Sequence, residues 1–203
     1  MTYGIDRRLH RFGCILIAFA GLGPACLPAT ASEPAWSLDQ LMQALSNVKS
    51  ATSEFVEDQY IGVLTRPLHA SGVLVYVAPK RLEKDVLAPA RQSVVIDGDT
   101  LTMHQSNGRS RSFMLQDHPE IGGFVESLRS TLSGDLIGLN RFYTVGFTSS
   151  ADRWELSLAP KDEQVRKLVK SILIDGSNLS LSSVKILQAD GDRTIMTLTR
   201  SHS

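Results

Sequence analysis

The sequence predicts an α+β, mainly β fold: a curled, incomplete antiparallel β-barrel of about eleven strands, with an N-terminal helix and a helical lid over a hydrophobic cavity. Three observations carry this. Apolar and polar residues alternate through most of the chain, in short runs punctuated by Asp-Gly and Asn-Gly pairs, the pattern of strands joined by tight hairpins. Two stretches switch to a three- and four-residue apolar period, one ahead of the first strand and one between two strand series. A sheet this wide must curl or close, and the apolar helix faces need a partner. Helices over the open mouth of an incomplete barrel satisfy both demands.

The first residues follow an export pattern. Arg7, Arg8 and Arg11 make a basic region, Phe12 to Leu22 an apolar run, and Ala29-Thr30-Ala31 a small-x-small cleavage site. A signal peptide over residues 1–31, cut before Ser32, is the expectation, with a single domain over 32–203. The apolar run is about half of the roughly 20 residues that span a bilayer. Leu22 to Cys26 also resembles a lipobox, which would make the mature chain a lipid-anchored acceptor through Cys26. The leader carries Asp6, Arg7, Arg8 and Arg11, so its removal moves the net charge from zero to −2. It also carries Cys14 and Cys26, the only two cysteines. The mature protein therefore has no disulfide to staple it and must be held by its core. Its balanced charge gives no footprint for nucleic acid.

Trp36 to Val48 is the first helix, because Trp36, Leu38, Leu41, Met42, Leu45 and Val48 form one stripe. Ser37 with Gln40 three residues on is a capping box. The period then becomes two. Strands are expected over Phe55–Val63, Ala70–Val77, Leu82–Leu87, Arg91–Ile96, Thr100–Gln105 and Ser110–Leu115, with turns at Asp97-Gly98 and Asn107-Gly108. His118–Leu132 and Gly134–Leu139 return to helical spacing. Their glycines, Gly122 and Gly123 among them, make this insert a weak helical region. Strands resume at Phe142–Thr148 and Trp154–Ala159, with helical turns over Asp162–Leu168. Ser171–Ile174, Leu179–Gln188 and Arg193–Arg200 finish the chain, turned at Asp175-Gly176 and Asp190-Gly191.

Enzyme chemistry is not written in this chain. It lacks a GxSxG elbow, a phosphate loop, HExxH and GxGxxG. Two SxxK matches, at Ser46 and Ser182, come without a KTG partner. His69, His104, His118 and His202 are far apart and are expected at the surface or in hydrogen bonds. No metal site or cofactor is predicted. What remains is a concave apolar surface with a cover, the signature of a binding module. One strand face, with Leu74, Tyr76, Val94, Ile96, Leu101, Met103, Phe113, Trp154 and Leu156, is expected to line the cavity. Ile121, Phe124, Leu128, Leu136 and Ile137 are the lid's apolar residues.

Several segments, in this order, resemble the periplasmic outer-membrane lipoprotein carriers, the LolA-like family. Ser53-Glu54-Phe55-Val56-Glu57-Asp58-Gln59 is similar to the family's first strand, and Ala70 to Pro79 to its second. Val94 to Leu101 resembles a hydrophobic strand, its DG turn and the return strand. Ser133 to Phe142 looks like the insert of a divergent branch, and Trp154 to Pro160 like a later strand ending in Pro. The resemblance implies a non-enzymatic periplasmic carrier that shuttles acylated lipoprotein or lipid cargo as a monomer. Its partners would be an inner-membrane export complex and an outer-membrane acceptor. A sensor module of the same fold is the alternative. The well-studied carriers place an Arg before the strand-end Pro, where it latches the lid. Here Ala78 precedes Pro79 and Lys80-Arg81 follow, which makes Arg81 the candidate latch.

Overall fold

The computed structural model describes residues 36–200. The expected leader and cleavage point, Cys26 and His202 lie outside the described residues. Helix α1 covers Leu38–Leu45 and is followed by strands β1 (Ser50–Tyr60), β2 (Leu68–Val77), β3 (Arg81–Ala88), β4 (Gln92–Asp97), β5 (Thr100–Gln105) and β6 (Ser110–Met114). A 3₁₀ turn at Leu115–Asp117 leads into helices α2 (Pro119–Leu132) and α3 (Leu136–Phe142). Then come β7 (Tyr143–Ser150), β8 (Arg153–Pro160), the short helix α4 (Glu163–Arg166), β9 (Val169–Ser177), β10 (Ser180–Gln188) and β11 (Arg193–Arg200).

The eleven strands form one antiparallel sheet in the order β6-β5-β4-β3-β2-β1-β11-β10-β9-β8-β7. Every neighbour is consecutive in sequence except β1 and β11, which pair from Ser53 with Arg200 to Tyr60 with Arg193. The first and last strands thus meet in the middle of the sheet. Its two free edges, β6 and β7, are the strands that the helical insert connects. The curled sheet stays open where α2 and α3 interrupt the strand series, as expected for an incomplete barrel.

Local boundaries differ from the sequence expectation for physical reasons. Helix α1 has its capping box, Ser37 N to Gln40 Oε1 at 2.9 Å and Gln40 N to Ser37 Oγ at 3.2 Å. It ends at Leu45 rather than Val48, because Ser46 Oγ and Asn47 Nδ2 both donate back to Gln43 O. Such side-chain bonds compete with further helix. Asp175-Gly176 is not a turn. Gly176 lies inside β9, opposite Trp154 of β8, and a Cβ there would collide with the indole. The turn sits at Asn178-Leu179 instead, with Asn178 at φ 49°. Gly123 in α2 is likewise a place of close approach. The Tyr143 hydroxyl donates to Gly123 O at 2.6 Å, and a Cβ on Gly123 would stand 3.2 Å from the hydroxyl oxygen. Burial pushes the Tyr143 phenol up to about 12, so at neutral pH it remains a donor holding the insert to β7.

Candidate functional site

The concave face falls into two halves. Trp154, Leu156 and Leu158 of β8 meet Ile172 and Ile174 of β9, all buried. This half is filled core. In the other half the sheet and α2 enclose a cavity of about 270 Å³. Leu74, Leu82, Val94, Ile96 and Leu101 form its floor, and Val184, Ile186 and Met196 one side. Phe124, Val125 and Leu128 of α2 close it from above. A larger cleft, about 590 Å³, lies along β7 to β9 among Ser, Thr and Asp side chains and lacks this apolar enclosure.

The structure therefore places Leu74, Val94, Ile96, Leu101, Phe124 and Leu128 together at the cavity. All nine strand residues named from the sequence belong to the buried core or pack against it. Tyr76, Trp154 and Leu156 do not line this cavity; they are packed away at 1%, 3% and 0% exposure. Met103, Phe113, Ile121 and Leu136 pack at the edge of the core. Ile137 is a correction: it is 84% exposed. Asp135 caps helix α3 by accepting from Gly138 N at 2.8 Å. That sets Leu136 and Leu139 inward and Ile137 outward.

Arg81 is a second correction. Leu82 is buried under the cavity, so its neighbour Arg81 points to the opposite, convex face. There its guanidinium meets Glu83 Oε2 at 2.8 Å and Asp97 Oδ2 at 3.6 Å, and it does not reach the insert. A different arginine ties the insert to the sheet. Arg129 of α2, buried at 6% exposure, donates from Nη1 to Gly98 O at the β4–β5 turn, 2.8 Å away. Beside it the Tyr76 hydroxyl is buried with no hydrogen-bond partner among the described residues. Burial raises the Tyr76 phenol's pKa, and the Arg129 charge opposes the rise.

Sequence reasoning missed the polar part of the cavity. Glu57, Gln59, Lys84 and Thr194 lie on its wall. Lys84 Nζ is 2.6 Å from Glu57 Oε2, and Gln59 Nε2 donates to Glu57 Oε1 at 2.8 Å. The signal was present as parity: Glu57 and Gln59 follow Phe55 by two and four residues, and Lys84 follows Leu82 by two, all at inward positions. Among the described residues no group of His, Cys, Asp and Glu could hold a metal ion, and no helix is long and apolar enough to cross a membrane.

The model of the LolA-like outer membrane lipoprotein carrier proteins matches residues 30–201. The chain belongs to this family. An outer-membrane lipoprotein carrier protein of Chromohalobacter salexigens is 26% identical over 168 residues, 83% of this chain and 77% of that protein. A LolA superfamily protein from Nitrosomonas europaea is similar in structure, with 8% identity and a TM-score of 0.42 over 83% of this chain and 94% of that one. A DUF1329 family protein from Desulfovibrio piger has 9% identity and a TM-score of 0.44 over 80% and 88%. In this LolA-like chain the insert between β6 and β7 is the segment that covers the cavity, and Arg129 and Tyr143 both tie it to the sheet.

Proposed function

We propose that this chain is a periplasmic carrier. It takes an acyl chain of a lipoprotein, or of a related acylated lipid, into the cavity beneath α2. It receives that cargo from an inner-membrane export complex and passes it to an outer-membrane acceptor. The observation that carries the reading is the apolar cavity between a helical cover and a continuous sheet, in a chain of the carrier family. Each buried CH₂ contributes about 0.8 kcal/mol, so a chain of a dozen carbons gains about 10 kcal/mol before the costs of association. No covalent step is required. At about 270 Å³ the closed cavity is near the lower end of small-ligand sites, roughly 300–1,000 Å³. It suits one chain, and a larger cargo requires α2 to swing outward.

Phe124→Asp tests the cover. Closing α2 then drives a carboxylate into an apolar wall, where its desolvation is unfavourable. Retention of a fluorescent acyl probe is expected to weaken by about 1–3 kcal/mol, or roughly 5- to 150-fold. Unchanged affinity, together with amide exchange in residues 119–132 that does not respond to the probe, would remove α2 from the mechanism.

Cell fractionation with mass spectrometry of the N-terminus tests the location. Soluble periplasmic protein beginning at Ser32 is expected. Recovery in the membrane fraction, with a lipid-blocked Cys26 as first residue, would make the chain an anchored acceptor instead.

A further inference from the structure

Hydrocarbon storage does not account for an ion pair in the cavity wall. Glu57 and Lys84 reach each other from β1 and β3, across the whole width of β2. The contact is diagonal: on β2, Glu57 lies opposite Ala70 and Lys84 opposite Leu74, with Gly72 between them. The Glu57 side chain is 5% exposed and that of Lys84 27%. The ammonium also lies 5.1 Å from the centre of the Phe55 ring. Taking such a pair out of water costs about as much as its attraction returns, and apolar residues of similar size would serve a purely hydrocarbon site at least as well.

We propose that Glu57, Gln59 and Lys84 form a subsite for the uncharged carbonyl at the head of an acyl chain, and that their cancelled charges select against a free carboxylate. This rests on the carrier reading and names the ligand chemistry of the same cavity. An ammonium has three N–H donors, and Glu57 takes one. Gln59 gives one amide hydrogen to Glu57 and keeps its carbonyl oxygen and its second hydrogen. An ester carbonyl can accept from Lys84 while its chain lies among Leu74, Val94 and Ile96. A carboxylate entering the same place loses its hydration. It finds the lysine charge already balanced by Glu57. The shared chemistry is the acyl ester, from a free acylglycerol or from the acylated terminus of a protein.

The test uses delipidated mature protein and competition against a fluorescent acyl probe. The competitors are dodecanoate, 1-dodecanoylglycerol and a synthetic peptide with a dodecanoyl-glyceryl group on its N-terminal cysteine. Wild type is expected to bind the two esters about tenfold or more tighter than dodecanoate, some 1.4 kcal/mol per factor of ten. Glu57→Gln keeps the shape, unbalances Lys84 and is expected to reverse the order in favour of dodecanoate. Lys84→Met removes the donor and leaves the Glu57 charge unbalanced, so it is expected to weaken both esters and to leave dodecanoate the poorest ligand of the three. A tighter peptide marks a lipoprotein as the source of the ester, and a tighter acylglycerol marks a free lipid; either supports the subsite. Equal binding of ester and carboxylate by wild type overturns the subsite and leaves the carrier reading standing, and that comparison needs no variant to fold. An unchanged ratio in a folded Glu57→Gln protein overturns it too. Failure of all three competitors to displace the probe overturns it as well, whereas failure of the probe itself to bind overturns the carrier reading and the subsite with it.

Discussion

Trp154→Ala is expected to cost about 3–5 kcal/mol of stability, the range for truncating a buried large aromatic side chain. For a domain of this size that corresponds to a melting temperature lower by roughly 6–20 °C. Trp154 is 3% exposed. Its ring covers Gly176 on the neighbouring strand, and its Nε1 donates to Asn178 O at 2.8 Å, tying β8 to the β9–β10 turn. Truncation leaves a void against Gly176 and loses that tie. The sequence placed Trp154 on the cavity wall, and the structure places it in the filled half of the concave face. The two placements differ in outcome. A core residue changes the melt and leaves acyl-probe affinity of the folded variant unchanged. Calorimetry paired with probe titration well below the transition decides between them. A melt within about 2 °C of wild type, less than about 1 kcal/mol, or weakened probe binding by the folded variant, would put Trp154 back at the ligand.

The same pair of residues explains which parts of this fold could be read in advance. Strand parity is a local property of an alternating sequence, so the inward faces of β2, β4, β5 and β8 were legible residue by residue. Turn chemistry is local as well, and Gly98, Gly108 and Gly191 do adopt positive φ at their hairpins. Gly176 misled because its need for no side chain comes from an indole 22 positions away, which no local pattern records. The division of one apolar face into filled core and open cavity is also non-local. It depends on where α2 lies, and Leu156 and Leu74 look alike in sequence. Arg81 misled for a simpler reason: its position two residues after Pro79 suggested a role, whereas alternation with the buried Leu82 already sent it to the convex face. The ion pair could have been found from the same alternation, since Glu57 and Lys84 stand at inward positions where an apolar residue is the ordinary choice.

Arg129→Leu should release the insert, and Arg81→Leu should not. Arg129 is buried and its guanidinium donates to Gly98 O. A hydrogen bond from a charged group is worth about 1.5–3 kcal/mol. Leucine retains much of the apolar stem that packs under α2, so the loss falls mainly on the polar tie. Amide exchange through residues 119–132 is therefore expected to quicken about ten- to hundredfold, at 1.4 kcal/mol per factor of ten. Arg81 lies on the far face of the sheet, and its partners Glu83 and Asp97 are partly exposed, Asp97 at 73%. Exposed pairs of this kind contribute about 0–1 kcal/mol. Arg81→Leu is expected to leave exchange in α2 and transfer of an acyl probe to acceptor vesicles unchanged. Tyr143 holds α2 to β7, and Arg129 is then the buried contact that holds it to the β4–β5 turn. Exchange in α2 that responds to Arg81→Leu and is untouched by Arg129→Leu would reverse that assignment.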